Sequence, residues 1–421
     1  MLYLIRNYFP LLIVLSSFML PDQTGIPLIG NNWTSMLLSL LILLYGFYYR
    51  FCYFSPDNRK EYLIIAVYLI WLFISVFRGV FVADNFDEYV QLISGTMALL
   101  LPLFVYVFSD KELLQKTLRL WFYIALPLFL YFAWKMYNES FQFYLGPVLF
   151  IGCFLPLIPK KWRFIIFALL ILMVVADFFA RSQVLKALIA LCVSIGSLFA
   201  YKINQRIFHA VHRLLYIVPI VLLLLGITGV FNIFHFFAES YKGGPTNINT
   251  FWDEWETEES LSDDTRSFIY YEVITSAVKH NYVIQGRTPA RGNDSESFGY
   301  EYMEILRNGR YERHGNEVCH PNVFTWLGLI GLILYGLIYY RSSYLALFKS
   351  NSIWLKLIGL IIAFRFFYGW IEDKNRLNLF NISLWMMIAM GFSETFRQMT
   401  DEDFKDWVVG IFKKNENIIE N

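Results

Sequence analysis

Leu214–Phe237 reads LLYIVPIVLLLLGITGVFNIFHFF, a run without one Asp, Glu, Lys or Arg. A helix needs roughly 20 mainly apolar residues to cross a bilayer core, and this run supplies them. The polar stretch Ala238–Pro321 follows, and at Val323–Tyr340 the chain turns apolar again. Span, long loop, span is therefore the local pattern.

Working outward, apolar runs recur at Tyr8–Leu20, Ser35–Phe54, Tyr62–Phe77, Tyr89–Phe108, Leu118–Tyr137, Tyr144–Ile158, Phe164–Ala180, Val184–Tyr201, Ile353–Ile371 and Leu377–Phe392. With the first two, these make twelve candidate spans; the sixth in chain order carries Pro147 and Pro156 and has the weakest boundaries. The expected fold is an all-α, polytopic membrane helix bundle of about twelve transmembrane helices with one large extracytoplasmic loop. Residues 1–237 hold nine spans, 238–321 the loop, 322–393 the last three spans and 394–421 a tail.

Composition agrees. The chain is 57% hydrophobic, 19% aromatic and 16% charged, with a mean hydropathy of +0.47. Soluble domains carry about 25% charged residues, so there is too little polar surface here to face water all round. A net charge of +1 lacks the clustered basic face that a nucleic-acid partner needs. Pro21-Asp22-Gln23 follows the first run instead of a small-residue cleavage site, which reads as a retained span. The four cysteines, Cys52, Cys153, Cys192 and Cys319, match no zinc or redox spacing and read as small packing residues.

The short loops alternate in charge. Arg50, Arg59 and Lys60; Lys111, Lys116 and Arg119; Lys160, Lys161 and Arg163; Lys202, Arg206 and Arg213; and Arg341 with Lys349 fall on one side. Pro21–Trp33 has no Lys or Arg, and Val80–Glu88 carries Asp84, Asp87 and Glu88. Loops rich in Lys and Arg stay cytoplasmic, so both termini are expected inside and the long loop outside. In the tail, Asp401-Glu402-Asp403 reads as the start of the amphipathic helix Asp401–Lys413, favoured there by the helix dipole, and not as a metal site.

Loops longer than about 12–15 residues are usually functional or disordered. The first half of this one, Phe251–Asp264, is acidic and suits a mobile lid. The second half has helical periodicity: Asp263-Asp264-Thr265 as N-cap, then Arg266, Phe268, Ile269, Val273, Ile274, Ala277 and Val278 on one stripe. Arg266, Arg287, Arg291, Arg307, Arg310 and Arg313 lie in the loop, Arg181 at the outward end of the seventh span and Arg365 near that of the eleventh. An arginine in an apolar span costs roughly 2.5–3.5 kcal/mol on insertion scales, so it normally has a partner or a task. Planar bidentate donors suit phosphate oxygens; the plainer reading is a set of ion pairs with nearby acids. Glu272, His280, His314, Glu317 and His320 are possible proton acceptors. Glu317, His314 and His320 fit best, because they stand just before the tenth span. The outward loops hold no Asp-x-Asp pair or His/Asp ligand set, so no metal and no other cofactor is expected.

The stretch Asn316-Glu317-Val318-Cys319-His320-Pro321-Asn322-Val323-Phe324-Thr325-Trp326-Leu327-Gly328-Leu329-Ile330-Gly331 resembles the O-antigen polymerase and O-antigen ligase superfamily. So do Ala180-Arg181-Ser182 followed by Val184-Leu185-Lys186-Ala187-Leu188, and Arg266 with Gly286. Asp294-Ser295-Glu296 and Phe364-Arg365-Phe366 resemble the branch found in Bacteroides-like bacteria. One departure stands out: aligning on Gly328-Leu329-Ile330-Gly331 puts Glu317 where the family has its histidine, which favours the polymerase branch.

The resemblance implies a GT-C-like bundle in the bacterial inner membrane that works on undecaprenyl-diphosphate-linked oligosaccharide. Glycan would pass from one carrier to the sugar on another, without a metal. Arg181, Arg266, Arg287, Arg291, Arg313 and Arg365 would hold the diphosphate, and Glu317, His314 or His320 would take the acceptor proton. Membrane lipids and a chain-length regulator protein are the implied partners. The alternatives are an O-antigen ligase acting on lipid A core, a lipid-linked oligosaccharide or solute transporter, and a scaffold. The paired broken repeats of a transporter are not visible in the sequence.

Overall fold

The computed structural model describes residues 2–16, 32–56, 58–135, 144–176, 181–196, 205–229, 267–296, 299, 303–304, 309–373 and 375–413. Its helices are α1 (Leu2–Ser16), α2 (Asn32–Cys52), α3 (Leu63–Val82), α4 (Phe86–Leu99), α5 (Phe104–Phe108), α6 (Lys111–Leu120), α7 (Leu126–Phe132), α8 (Gly146–Gly152), α9 (Lys160–Ala176), α10 (Arg181–Gly196) and α11 (Gln205–Ile227). After α12 (Ser267–Lys279), strands β1 (Asn293–Asp294) and β2 (Glu312–Arg313) form a two-residue antiparallel ribbon. Then come α13 (Cys319–Phe348), α14 (Ile353–Tyr368), α15 (Leu379–Phe392), α16 (Glu394–Gln398) and α17 (Asp401–Ile411).

Local chemistry sets the ends and breaks. Asn85, Asp110, Ser352 and Asn378 cap α4, α6, α14 and α15 with side-chain oxygens that accept from backbone amides, satisfying donors a helix leaves open. Pro102 sits in a 3-10 turn between α4 and α5, because proline has no N–H to carry the helical ladder through. A π-turn at Trp121–Ala125 precedes Pro127. Pro147 starts α8, and the 3-10 turn around Pro156 follows it. That stretch is a short buried element instead of a full span.

Among the described residues, six helical stretches are long and apolar enough to cross a bilayer: Thr34–Cys52, Arg59–Val82, Phe86–Phe108, Lys111–Tyr131, Gln205–Ile227 and Cys319–Phe348. Each matches one of the twelve runs read from the sequence, with shifted ends. The helix containing Leu214 begins at Gln205, and its described part ends at Gly229. Among the described residues the remaining runs form shorter helices, such as α15 with 14 residues and α14 with 16.

Tyr335 and Tyr339 of α13 pack on Trp385 of α15, and these rings share one buried core with Phe104 and Phe108 of α5. The outside is apolar too. Ile70, Phe73, Phe77 and Phe81 on α3, with Ile217, Ile220 and Leu224 on α11, are exposed. Contiguous apolar surface of this kind calls for a non-aqueous surrounding. The chain is a multi-pass helical membrane protein.

The tail helix packs inward. Phe404, Trp407, Val408 and Ile411 of α17 are buried, and Thr400 with Asp403 forms a capping box. Asp401 accepts from Ser352 Oγ at 2.7 Å and from the Ile353 amide at 2.9 Å. The acidic run therefore works at the starts of two helices.

Candidate functional site

The site is built around a break in α13. Gly328 has φ 68° and ψ −170°, a conformation open essentially to glycine alone. The break leaves backbone groups unbonded inside an apolar helix, which is tolerated only where protein satisfies them. The segment after α12 does this. Arg287 and Thr288 amides donate to the Thr325 and Trp326 carbonyls at 2.7 and 3.1 Å, and Leu329 and Ile330 amides donate to Val283 and Ile284 at 2.8 and 3.3 Å. From α3, Trp71 Nε1 donates to the Leu327 carbonyl at 2.9 Å and Ser75 Oγ to that of Trp326 at 3.1 Å. Arg78 donates to the Gln285 and Gly286 carbonyls. Gly286 has φ 74°, and a Cβ on it would meet the Gly328 amide nitrogen at 2.4 Å. Two glycines thus let two backbones touch.

The docked segment continues into a polar cap. Thr288 is buried with φ 79°, a strained state for a β-branched residue. Pro289 follows, and its carbonyl accepts from His314 Nε2 at 2.6 Å. The ribbon pairs Asp294 with Glu312 and Asn293 with Arg313, and directly opposed residues share a face. On the first face, Arg287 bridges the two acids, reaching Asp294 at 3.1 Å and Glu312 at 2.9 Å. Arg291 adds a bidentate contact to Glu312, with Nε to Oε2 at 2.7 Å. Lys279 and His280, at the end of α12, also bond Asp294. Burial alone would raise the Asp294 carboxyl. The bonds from Lys279, His280 and Arg287 outweigh it and hold the group down at about 2. Arg310 pairs with Asp84 and with the fully buried Glu88, tying the cap to α4.

On the second face, Asn293 accepts from Asn316 at 2.8 Å, and Asn316 and Asn322 exchange two bonds. Arg313 is buried and reaches Glu317 at 3.4 Å. Asn322 extends towards Asp373 at 3.5 Å. Burial raises that carboxyl above its usual range.

The three proton acceptors expected from sequence have different surroundings. Glu317 has a side chain 61% exposed beside Arg313. His314 is buried against Trp326, which donates to its carbonyl, and desolvation lowers its pKa. His320 is 1% exposed: its Nε2 lies 2.9 Å from the Phe366 carbonyl, so it carries the proton there, with Phe366 and Trp370 against the ring. His320 binds α13 to the end of α14.

Of the arginines, Arg287 and Arg291 meet at Glu312 on the first face of the ribbon, and Arg313 stands on the second. Arg365 is buried on α14, 3.5 Å from Glu372 and 5.3 Å from the Phe380 ring centre. It lines an apolar cavity of about 40 Å³ with Gly146, Ala190 and Phe380. Backbone bonds from Cys319 to Glu372 and from His320 to Gly369 bring this end of α14 to the start of α13. Arg181 opens α10, but its side chain lies outside the described residues, as do Arg266, Arg307 and the acidic stretch Phe251–Asp264. The loop helix α12 forms with Ile269, Val273 and Ala277 inward; Val278, expected on the same stripe, is exposed, and the expected N-cap Asp263-Asp264-Thr265 lies outside the described residues.

The sequence reading missed Glu312, Glu88, Asp373 and the Asn293–Asn316–Asn322 chain. Asn316 and Asn322 stand in the quoted motif, and their spacing of six was the available signal. No family model matches the chain, and no curated protein or solved structure is similar to it.

Proposed function

We propose that the chain is a membrane glycosyltransferase of the O-antigen polymerase type, acting on polyprenyl-diphosphate-linked oligosaccharide. The observation that carries this reading is the exposed Glu317 carboxylate beside the buried Arg313, at the end of the bundle that also holds Arg365. In the proposed reaction the acceptor hydroxyl oxygen attacks the anomeric carbon of the donor sugar, and its proton goes to Glu317. The bond from that carbon to the diphosphate breaks, and the diphosphate leaves with the electron pair. Guanidiniums aimed at the leaving oxygens stabilise the charge that develops there.

The contacts favour a division of labour among the six arginines. Arg313 and Arg365 hold their acids at 3.4 and 3.5 Å, loose enough for a diphosphate to displace Glu317 and Glu372. Arg287 and Arg291 are locked on Glu312, so we assign them to shaping the ribbon. Arg181 and Arg266 complete the proposed diphosphate site. The finer topology belongs to the same proposal: twelve spans, both termini cytoplasmic, the long loop outside the inner membrane, and a chain-length regulator as partner.

Deleting the gene tests the reading. Loss of a polymerase leaves core capped with a single repeat unit. Bare core with polymer still on its carrier would indicate a ligase, and the absence of both a flippase; either overturns the proposal. Glu317→Gln should remove long glycan ladders while protein stays in the membrane, and His320→Gln should cost stability before activity.

A further inference from the structure

At the opposite end of the bundle, the junctions α5–α6 and α15–α16 enclose a second pocket of about 330 Å³, closed on one side by the end of α2. Tyr62, Ser109, Ser393 and Thr395 line it. Arg397 of α16 also lines it and is only 8% exposed. Among the described residues no hydrogen bond or ion pair engages its guanidinium, and its buried Nε has no partner. Leaving a buried cation uncompensated is costly, so such a group normally has a counter-charge. Its backbone is fixed by the Asn351 amide, which donates to the Arg397 carbonyl at 2.9 Å. Its burial, at 8% exposure, sets the side chain within the fold and not on the open surface.

The other charges on the pocket are mixed. Lys111 is exposed at the rim, with Asp110, Glu112 and Glu394 around it. Asp110 is committed: it caps α6 through the Glu112 and Leu113 amides and accepts from Tyr49. Glu394 is half-buried, and one of its oxygens accepts from Gln398. Glu112 is exposed. A bare anion would meet these carboxylates as well as Arg397. A zwitterion meets a complement at both ends.

We propose that this pocket binds a phosphate ester that carries a primary amine, the chemistry of an aminophospholipid headgroup. The phosphate sits on Arg397 with Lys111 at the rim, the ammonium faces Glu394 and Glu112, and the tyrosines flank the linking carbons. The pocket lies where helices end, so a lipid can reach it from the bilayer surface and a soluble phosphoamine from water. The inference does not depend on the chemistry assigned to the other end.

The test uses the purified full chain in detergent, titrated with short-chain phosphatidylethanolamine, phosphatidylglycerol, phosphatidylcholine, soluble phosphoethanolamine and inorganic phosphate, read by thermal shift and native mass spectrometry. The ethanolamine lipid should bind at least tenfold more tightly than the glycerol or choline lipids. Arg397→Gln should abolish that binding, and Glu394→Gln should reduce the preference over the glycerol lipid while leaving the fold intact. Binding of soluble phosphoethanolamine with the same dependence on Arg397 supports the same site filled from solution. Equal binding of all three lipids, binding unchanged in both variants, or no binding of any probe overturns the proposal.

Discussion

Replacing Gly328 with alanine should undo the cap without unfolding the bundle. At φ 68° and ψ −170° a side chain is strained by about 1–3 kcal/mol. The new Cβ would also stand 2.3 Å from the Ile284 carbonyl oxygen and 2.4 Å from the Gly286 nitrogen, both backbone atoms that can yield only by moving the docked segment. That movement endangers the four amide bonds that Arg287, Thr288, Leu329 and Ile330 make across the break. At roughly 0.5–1.5 kcal/mol net each, they add about 2–6 kcal/mol, for a total near 3–9 kcal/mol. A few kcal/mol already exceeds what most local structure can lose. Hydrogen exchange by mass spectrometry on protein in detergent should show residues 282–296 losing protection while α14 and α15 keep theirs. Gly309→Ala is the control: its φ is 67° but nothing lies within 4 Å of the added Cβ, so only local strain remains and the cap should hold. Wild-type protection of 282–296 in Gly328→Ala would refute the claim that the backbone contact holds the cap.

Glu312→Ala leaves Arg287 and Arg291, only 12% and 14% exposed, without their shared acid, and breaking a buried pair costs up to about 3–5 kcal/mol; limited proteolysis should cut between β1 and β2 first. Burial depresses the His314 pKa, so the folded state binds fewer protons than the unfolded one. Cap stability should therefore be full above the unfolded value of about 6.5 and fall as pH drops below it. Exchange rates across pH 7 to 5 should show that slope, and His314→Gln should flatten it. A second loss belongs to Asp294, held at about 2, and should appear only as pH falls below the ordinary carboxylate range. Gly146→Ala puts a Cβ 2.5 Å from the Phe380 Cα, so α8 must move off α15 at about 1–3 kcal/mol; the thermal midpoint should drop.

Six of the spans and the loop helix were legible because burial in a bilayer or against a bundle imposes a period or an apolar run on consecutive residues. The sixth run was counted as a span; its two prolines marked only its weak boundaries, and the chain breaks there into a short helix and a 3-10 turn. Ends were less clear: Gln205–Arg213 is polar enough to look like loop, yet His212 is buried and bonded to Ser343. Partners of the arginines were not legible. Glu312 meets Arg287 across 25 positions, and Glu88 meets Arg310 across 222. Nothing in a one-dimensional pattern marks such pairs. His320 looked like a base from its place before a span, but the ring faces the Phe366 carbonyl, a direction that depends on where α14 ends.

The geometry around Gly328 explains why Glu317, and neither histidine, is left facing outward. The break ends the membrane-embedded helix early, so Cys319–Leu327 becomes a separate turn that must be held at the boundary. The backbone of 283–288 holds one side of it, and the Cys319 and His320 amides, bonded to Glu372 and Gly369, hold the other. His320 lies in that turn and His314 ahead of it, each buried with a ring nitrogen on a backbone carbonyl, Phe366 for His320 and Pro289 for His314. An imidazole spent in this way orients backbone and has lost its access. Glu317 precedes the clamped turn, with Arg313 four residues before it at the end of β2. A carboxylate there stands beside a buried guanidinium and still meets solvent, which suits the proton-acceptor role proposed for it.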